Sequence, residues 1–263
     1  MSVKGFNINL NLSLYKPFLK NMLRQRSIFI STFILPILII LTTWWITADT
    51  IMIVKFAFDS NTTISTDMIS IHIITGSLTA MGITASIFTF ILVSDNHKLS
   101  NRLQLAGYSM ISINIGMFLS LILVLSASAL ICGSITLFLV ETKEPLGVII
   151  SILSITILFS AIGNLLGWIY PKNNEGTLIL LFYSFIDLMY FTNPMGLGVY
   201  LQKWTYLLPG FWPTQIALTA GFYGYSDSTR QAVLYIITYV LILLGISIVL
   251  KKQIHNIKGT KVL

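Results

Sequence analysis

Charge is the scarcest commodity in this chain. Asp, Glu, Lys and Arg together make up 10% of its 263 residues, against about 25% in soluble domains. That shortage excludes an ordinary water-soluble domain. Cysteine is nearly missing as well: Cys132 stands alone inside an apolar run, so no internal disulfide is available. The three histidines, His72, His97 and His255, are scattered with no ligand spacing around them, so no metal site is expected. Neither G-x-S-x-G nor G-x-x-x-x-G-K-[ST] occurs, which removes the usual serine-nucleophile and P-loop signatures. No repeat, low-complexity tract or flexible linker is visible. A non-catalytic chain with no cofactor of its own is expected.

What is present is apolar length. Hydrophobic residues make up 55% of the chain, and its mean hydropathy is +0.85. About 20 apolar residues cross a ~30 Å hydrocarbon layer as a helix. Six such spans are expected, near Ser27–Ala48, Met68–Val93, Asn114–Phe138, Leu146–Tyr170, Thr177–Asn193 and Gln231–Leu250. The uncharged run Tyr108–Val140 would measure about 50 Å as one helix, so Tyr108–Ile113 is read as an interfacial extension before span three. The residues ahead of Ser27 are too interrupted for a signal peptide. The expected fold is therefore all-α and membrane-integral, one transmembrane domain over residues 1–263. Pro36 is expected to bend span one.

Basic residues fix the expected orientation. Lys4, Lys16, Lys20, Arg24, Arg26, Lys98, Arg102, Lys172, Lys251, Lys252, Lys258 and Lys261 fall on one side, 12 of the 16. Six of the nine acids accompany the other four. Both termini are thus expected in the cytoplasm, with Trp44 and Trp45 at the outer interface and Trp168 at the inner one. The +7 net charge then reflects topology and anionic lipid, and no nucleic-acid partner is expected.

Three segments carry functional candidates. Residues 7–26 include Phe18, Leu19, Met22 and Leu23 at helical spacing, with Lys16, Lys20 and Arg24 on another face. This is the pattern of an amphipathic helix lying in the headgroup layer. It fits either a topological anchor or a lever to a cytosolic partner. Residues 94–113 contain HKLSNRLQLA, in which Leu99, Leu103 and Ala106 share a face beside Lys98 and Arg102, with His97 opening the run. A solvated turn and a ridge for a partner's cleft both fit. Residues 194–226 combine Pro194, Pro209 and Pro213 with Trp204, Phe211 and Trp212. They are apolar but too broken to span, and a re-entrant hairpin is expected, since broken backbone survives at membrane depth only against protein or water. An aromatic surface loop is the alternative. Asp187 is the one formal charge inside a span, facing the bundle as polar glue or as a pathway group. No basic partner stands at its depth.

The order FLKNMLRQRSIFISTFILPILIIL, then DNHKLSNRLQLAGYSMISINIG, then WTYLLPGFWPTQIAL before the last span resembles the type-2 ABC transporter permeases, the six-span membrane subunits of bacterial exporters. The likeness covers nearly the whole chain through loose residue patterns. It implies that Phe18, Leu19, Lys20, Met22, Leu23 and Arg24 belong to a connecting helix. It implies that His97, Lys98, Leu99, Arg102, Leu103 and Ala106 form the ATPase-coupling helix. Asp187, Trp204, Pro209, Phe211, Trp212 and Pro213 would belong to the pathway and its re-entrant segment. The chain departs from the commoner coupling pattern, in which an acidic residue and Gly-Thr precede the leucines; His97-Lys98 and Ser100-Asn101 stand there.

The resemblance further implies two copies of a separate ATPase carrying ATP and magnesium, and a second permease subunit, identical or different. It places the chain in a bacterial cytoplasmic membrane and makes it export an amphiphile such as a drug, an antimicrobial peptide or a lipid-like molecule. Export of a lipid-linked glycan, a secondary transporter or channel independent of ATP, and a membrane scaffold are the alternatives.

Overall fold

In the computed structural model the chain is described over residues 14–55, 63–170, 174–191, 207–224 and 227–259. Residues 7–13 of the amphipathic segment, Lys172 and all of 194–206, Trp204 included, lie outside that set. Helix α1 (Tyr15–Arg24) precedes α2 (Arg26–Ile46), and strands β1 (Ile51–Lys55) and β2 (Thr63–Asp67) follow. Next come α3 (Met68–Asp95), α4 (His97–Leu105), α5 (Met110–Leu139) and α6 (Pro145–Ile169). Helix α7 (Asn174–Phe185) runs on into a π-helical stretch Ile186–Phe191, and α8 (Phe211–Leu218) into a second, Thr219–Tyr223, before α9 (Asp227–Gly259).

Among the described residues four helices are long and apolar enough to cross a membrane: α3, α5, α6 and the Phe29–Ile46 portion of α2. Helix α9 adds the shorter apolar stretch Val233–Val249. The protein is thus mostly helical and membrane-embedded.

A short hairpin joins the helices: β1 and β2 pair antiparallel from Ile51↔Asp67 to Lys55↔Thr63. β-branched residues at Ile51, Ile53, Val54, Thr63, Ile64 and Thr66 favour that hairpin. The helix of the third expected span, near Asn114–Phe138, begins earlier than that span. α5 starts at Met110, where the Ser109 hydroxyl accepts the Ser112 amide at 3.1 Å and caps the helix. Its 30 residues make about 45 Å of continuous helix. Gly107, at φ +91°, supplies the left-handed turn that ends α4. Helix α2 runs unbroken through Pro36.

Helix α3 is the centre of the bundle, buried along most of its length and flanked chiefly by α6 and α2. Lipid cannot drive helices together by the hydrophobic effect, so close backbone approach and hydrogen bonds must do it. Gly163 and Gly167 of α6 provide that approach. A β-carbon on Gly163 would fall 2.2 Å from the Ser86 carbonyl oxygen, and one on Gly167 2.7 Å from Val93 Cβ. Hydroxyls add links between helices: Ser77 to Thr136 at 2.6 Å, Ser86 to Ser184 at 3.2 Å, and Ser128 donating to the Thr32 carbonyl at 2.8 Å. At the other end of α3, Asp67 caps the helix by accepting the Ser70 amide at 2.9 Å. Partial burial opposes the Asp67 charge, but hydrogen bonds from Ser70 outweigh it and hold the carboxyl below its usual range.

The Gly163 contact gives a direct test. Gly163→Val should force α3 and α6 apart and destabilise the fold by about 1–3 kcal/mol or more, whereas Gly245→Ala, with open space at its Cβ position, should be nearly neutral. Thermal unfolding of both proteins in detergent measures the difference.

Candidate functional site

Two regions of the bundle gather the candidate residues. The first is the end carrying α1 and α4. Phe18 and Met22 are fully buried and Leu19 is half-buried, while Leu23, Lys16, Lys20 and Arg24 are exposed. The apolar stripe of α1 therefore packs chiefly on the protein, where Leu14 lies against Gly116 of α5. Its cations face outward. Helix α1 also touches the α3–α4 turn: Asn21 donates to Asn96 Oδ1 at 2.8 Å, and Asn96 donates to the Leu92 carbonyl at 2.8 Å.

Helix α4 is fastened from within. His97 Nε2 lies 3.1 Å from the Gly167 carbonyl, and its ring meets Trp168 edge-on at 4.6 Å. Ser100 is buried, and Leu99 and Leu103 are half-buried against the core. Lys98, Arg102 and Ala106 are exposed, and Leu105 is 90% exposed. The helix thus turns Leu99 and Leu103 inward and presents Leu105 between cations. A polar chain continues inward from its anchor. Trp168 donates to Asn114 Oδ1 at 3.1 Å, and Asn114 and Asn164 both donate to Ser247 Oγ, at 3.2 and 3.4 Å. Helices α4, α6, α5 and α9 are joined by it.

The second region surrounds Asp187. A carboxylate in a span costs about 2.5–3.5 kcal/mol on the insertion scale, so it needs a donor. Asp187 is 1% exposed, and its Oδ2 accepts the backbone amide of Gly210 at 3.1 Å. Gly210 precedes α8, so the carboxyl sits at the positive end of that helix. Among the described residues, the partner of the carboxyl is a helix terminus. Gly210 is needed there, since a β-carbon would fall 2.6 Å from Leu188 and 2.8 Å from Asp187 Oδ1. Asp187 is the second residue of the π-helical stretch Ile186–Phe191, a distortion often found at functional positions.

Depth can be read from neighbours. Leu188 packs on Gly82, near the middle of α3, whereas Gly221 meets Ile74 close to its start. The segment Phe211–Tyr223 therefore climbs from mid-bundle to the β-hairpin end, about 20 Å at 1.5 Å per residue. Every residue of α8 is buried, Phe211, Trp212 and Pro213 among them. Its last turn is tied down by backbone: the amides of Lys143 and Glu144 donate to the carbonyls of Gly221 and Ala220 at 3.0 and 2.9 Å. Broken backbone inside protein is satisfied in this way. Two further contacts hold the break at Pro209, which is itself buried. The Tyr239 hydroxyl donates to the Leu207 carbonyl, and Trp212 stacks on Tyr235 at 4.8 Å with an 18° interplanar angle.

Asp187, Pro209, Phe211, Trp212 and Pro213 are brought together; Trp204 lies outside the described residues. Sequence reasoning missed Gly163, Gly167, Asn21, Asn96 and the outward-facing Leu105. The run Gly163-Asn164-Leu165-Leu166-Gly167, two glycines one helical turn apart, is a signal that would have found the first two. Among the described residues no cluster of three or more His, Cys, Asp or Glu is present to hold a metal.

Comparison with protein-family models and with curated proteins finds no match.

Asp187→Asn keeps an oxygen for the Gly210 amide and should cost less than about 1 kcal/mol, whereas Asp187→Leu orphans that amide and should cost about 1–3 kcal/mol. Asp187→Lys adds a positive charge at a helix N-terminus and should be worst of the three. Melting temperatures in detergent rank the variants.

Proposed function

We propose that this chain is the membrane permease subunit of an ATP-driven bacterial exporter. In this reading it crosses the cytoplasmic membrane six times, α7 with its π-helical stretch and α9 being the fifth and sixth spans. Residues 194–226 form a re-entrant hairpin entering from the outside, and α1 and α4 lie in the cytoplasm. A separate ATPase supplies ATP and magnesium chemistry, and two permeases pair with two ATPases. The cargo is an amphiphile, such as a drug, an antimicrobial peptide or a lipid-like molecule.

The observation that carries this reading is the construction of α4. A solvated turn between two long helices needs only a few polar residues, and it needs no anchors. Here a nine-residue helix is held rigid by His97 on α6, by Leu99 and Leu103 on the core, and through Asn96 by Asn21 of α1. A rigid ridge that shows Lys98, Arg102 and Leu105 to the solvent suits a partner that pushes. Its anchoring to three helices suits transmission of that push into the bundle. The segment rising from mid-bundle to the opposite end supports a pathway whose far side is closed by short buried helices. The alternative of a secondary transporter draws on the mid-depth carboxylate of Asp187, but such transporters commonly pair broken helices in two repeated halves, and the sequence shows no repeat.

The test is capture. Full-length tagged protein expressed with its genomic neighbours should retain a P-loop ATPase. Leu105→Asp combined with Arg102→Glu should reduce that capture at least tenfold, about 1.4 kcal/mol, with an unchanged melting temperature. Leu99→Asp and Leu103→Asp should lower the melting temperature as well, because both side chains face the core. A wild-type preparation that holds no ATPase, or that transports without nucleotide, would sink the proposal.

A further inference from the structure

The Asp187 carboxyl is incompletely answered. A carboxylate has room for about four donors, and Asp187 has one clear hydrogen bond, from Gly210 to Oδ2. Its Oδ1 makes no hydrogen bond of normal geometry although the residue is buried. Among the described residues, the elements packed around it supply no cation. Residues 73–94 of α3, all of α6 and α8, and residues 231–250 of α9 contain no Lys, Arg or His. Aromatic residues cluster in this part of the bundle. Tyr183 stands one turn earlier on α7, and the Tyr239 hydroxyl of α9 donates to the Leu207 carbonyl, just ahead of Gly210. Beyond Gly210, Phe211 meets Trp212 edge-on at 5.3 Å, and Trp212 stacks on Tyr235.

A buried carboxylate beside a cluster of tyrosine and tryptophan is a chemistry that can recognise an organic cation. The carboxylate supplies charge, and aromatic quadrupoles supply attraction that grows as water is excluded. We propose that Asp187 is the receptor for the positively charged group of an amphiphilic cargo, and that this group takes the place of the Gly210 amide. The inference rests on the exporter reading and adds the sign of the cargo's charge. It also gives the site an order of events. In the observed state the carboxyl is spent on holding the N-terminus of α8. An arriving cation offers a full charge where the amide offers a partial one, so Asp187 exchanges partners and the break at Leu208–Gly210 is released. The remaining ties are the Tyr239 hydroxyl on Leu207 and the Trp212–Tyr235 stack. They hold the segment near the site as the pathway opens. A neutral or anionic amphiphile has nothing to exchange and leaves the latch shut.

The experiment is equilibrium dialysis of the full-length protein in nanodiscs, with empty nanodiscs as the blank. The probes are tetraphenylphosphonium and its anionic isostere tetraphenylborate. The cation should bind at one site and at least ten times more tightly than the anion, net of the blank. Asp187→Asn should weaken the cation at least tenfold, and Asp187→Glu should keep it within a few-fold. Tyr239→Phe retains the ring but cuts the tie to Leu207, so it should bind as tightly or more tightly. Equal binding of the two isosteres to the wild type overturns the inference, even if no Asp187 variant folds. So does unchanged cation binding in Asp187→Asn, or competitive displacement of the cation by sodium at constant ionic strength, which would assign the site to an inorganic ion. Capture of an ATPase without cation binding overturns this inference alone. Cation binding in a chain that captures no ATPase supports it and removes the exporter reading.

Discussion

The close approach of α3 and α6 is the contact on which the rest of the bundle is built. At Gly163 the two backbones come so near that no side chain fits between them. In lipid a helix gains nothing by hiding leucine from hydrocarbon, so its partners are chosen by shape and by polar links. The α3–α6 seam brings the shape, and the Ser77–Thr136, Ser86–Ser184 and Ser128–Thr32 contacts bring the links. With α3 fixed, every other element is positioned from it. Helix α4 follows α3 directly, the start of α3 carries the β-hairpin, and its middle receives Leu188 beside Asp187.

The same scarcity of water explains the two ends of the molecule. Where helices stop inside the bundle, their amides and carbonyls need partners from protein. Asp187 serves Gly210, the amides of Lys143 and Glu144 serve the last turn after α8, and Tyr239 serves Leu207. The broken segment is therefore held by a few identifiable bonds and by one aromatic stack. A segment held this way is firm until one bond is exchanged. At the opposite end the anchoring of α4 is of another kind, a half-buried apolar face with His97 set against the end of α6. The chain Trp168–Asn114–Ser247 joins that anchor to α5 and α9. The two ends are thus held in different ways, one by a packed apolar face and one by a few single bonds.

Much of this was legible beforehand, for reasons that differ by element. The long helices were visible because apolar length is itself the physical requirement for crossing a bilayer. The amphipathic α1 was visible because charge and apolar residues alternate at helical spacing, and Phe18 and Met22 face inward as that spacing demands. The start of α5 was misread because hydropathy reports polarity and not capping; Ser109 decides that boundary through one hydrogen bond. The hairpin lies between the first two expected spans, where no element was expected, although its β-branched residues favour strands. Leu99 and Leu103 were recognised as one face, but periodicity alone does not say which way a face turns. The structure turns it toward the core and leaves Leu105 outside.

Composition and spacing alone determined that the protein lives in a membrane, where its long helices run, and that Asp187 is an anomaly requiring a partner. These are consequences of local chemistry, because desolvating charge and backbone costs the same wherever the chain later goes. Only the tertiary structure decided who that partner is. Gly210 lies 23 positions further along the chain than Asp187, and Asn21 and Asn96 are 75 apart. Pairings over such separations depend on how α3 and α6 seat the other helices, and no window of sequence contains that information.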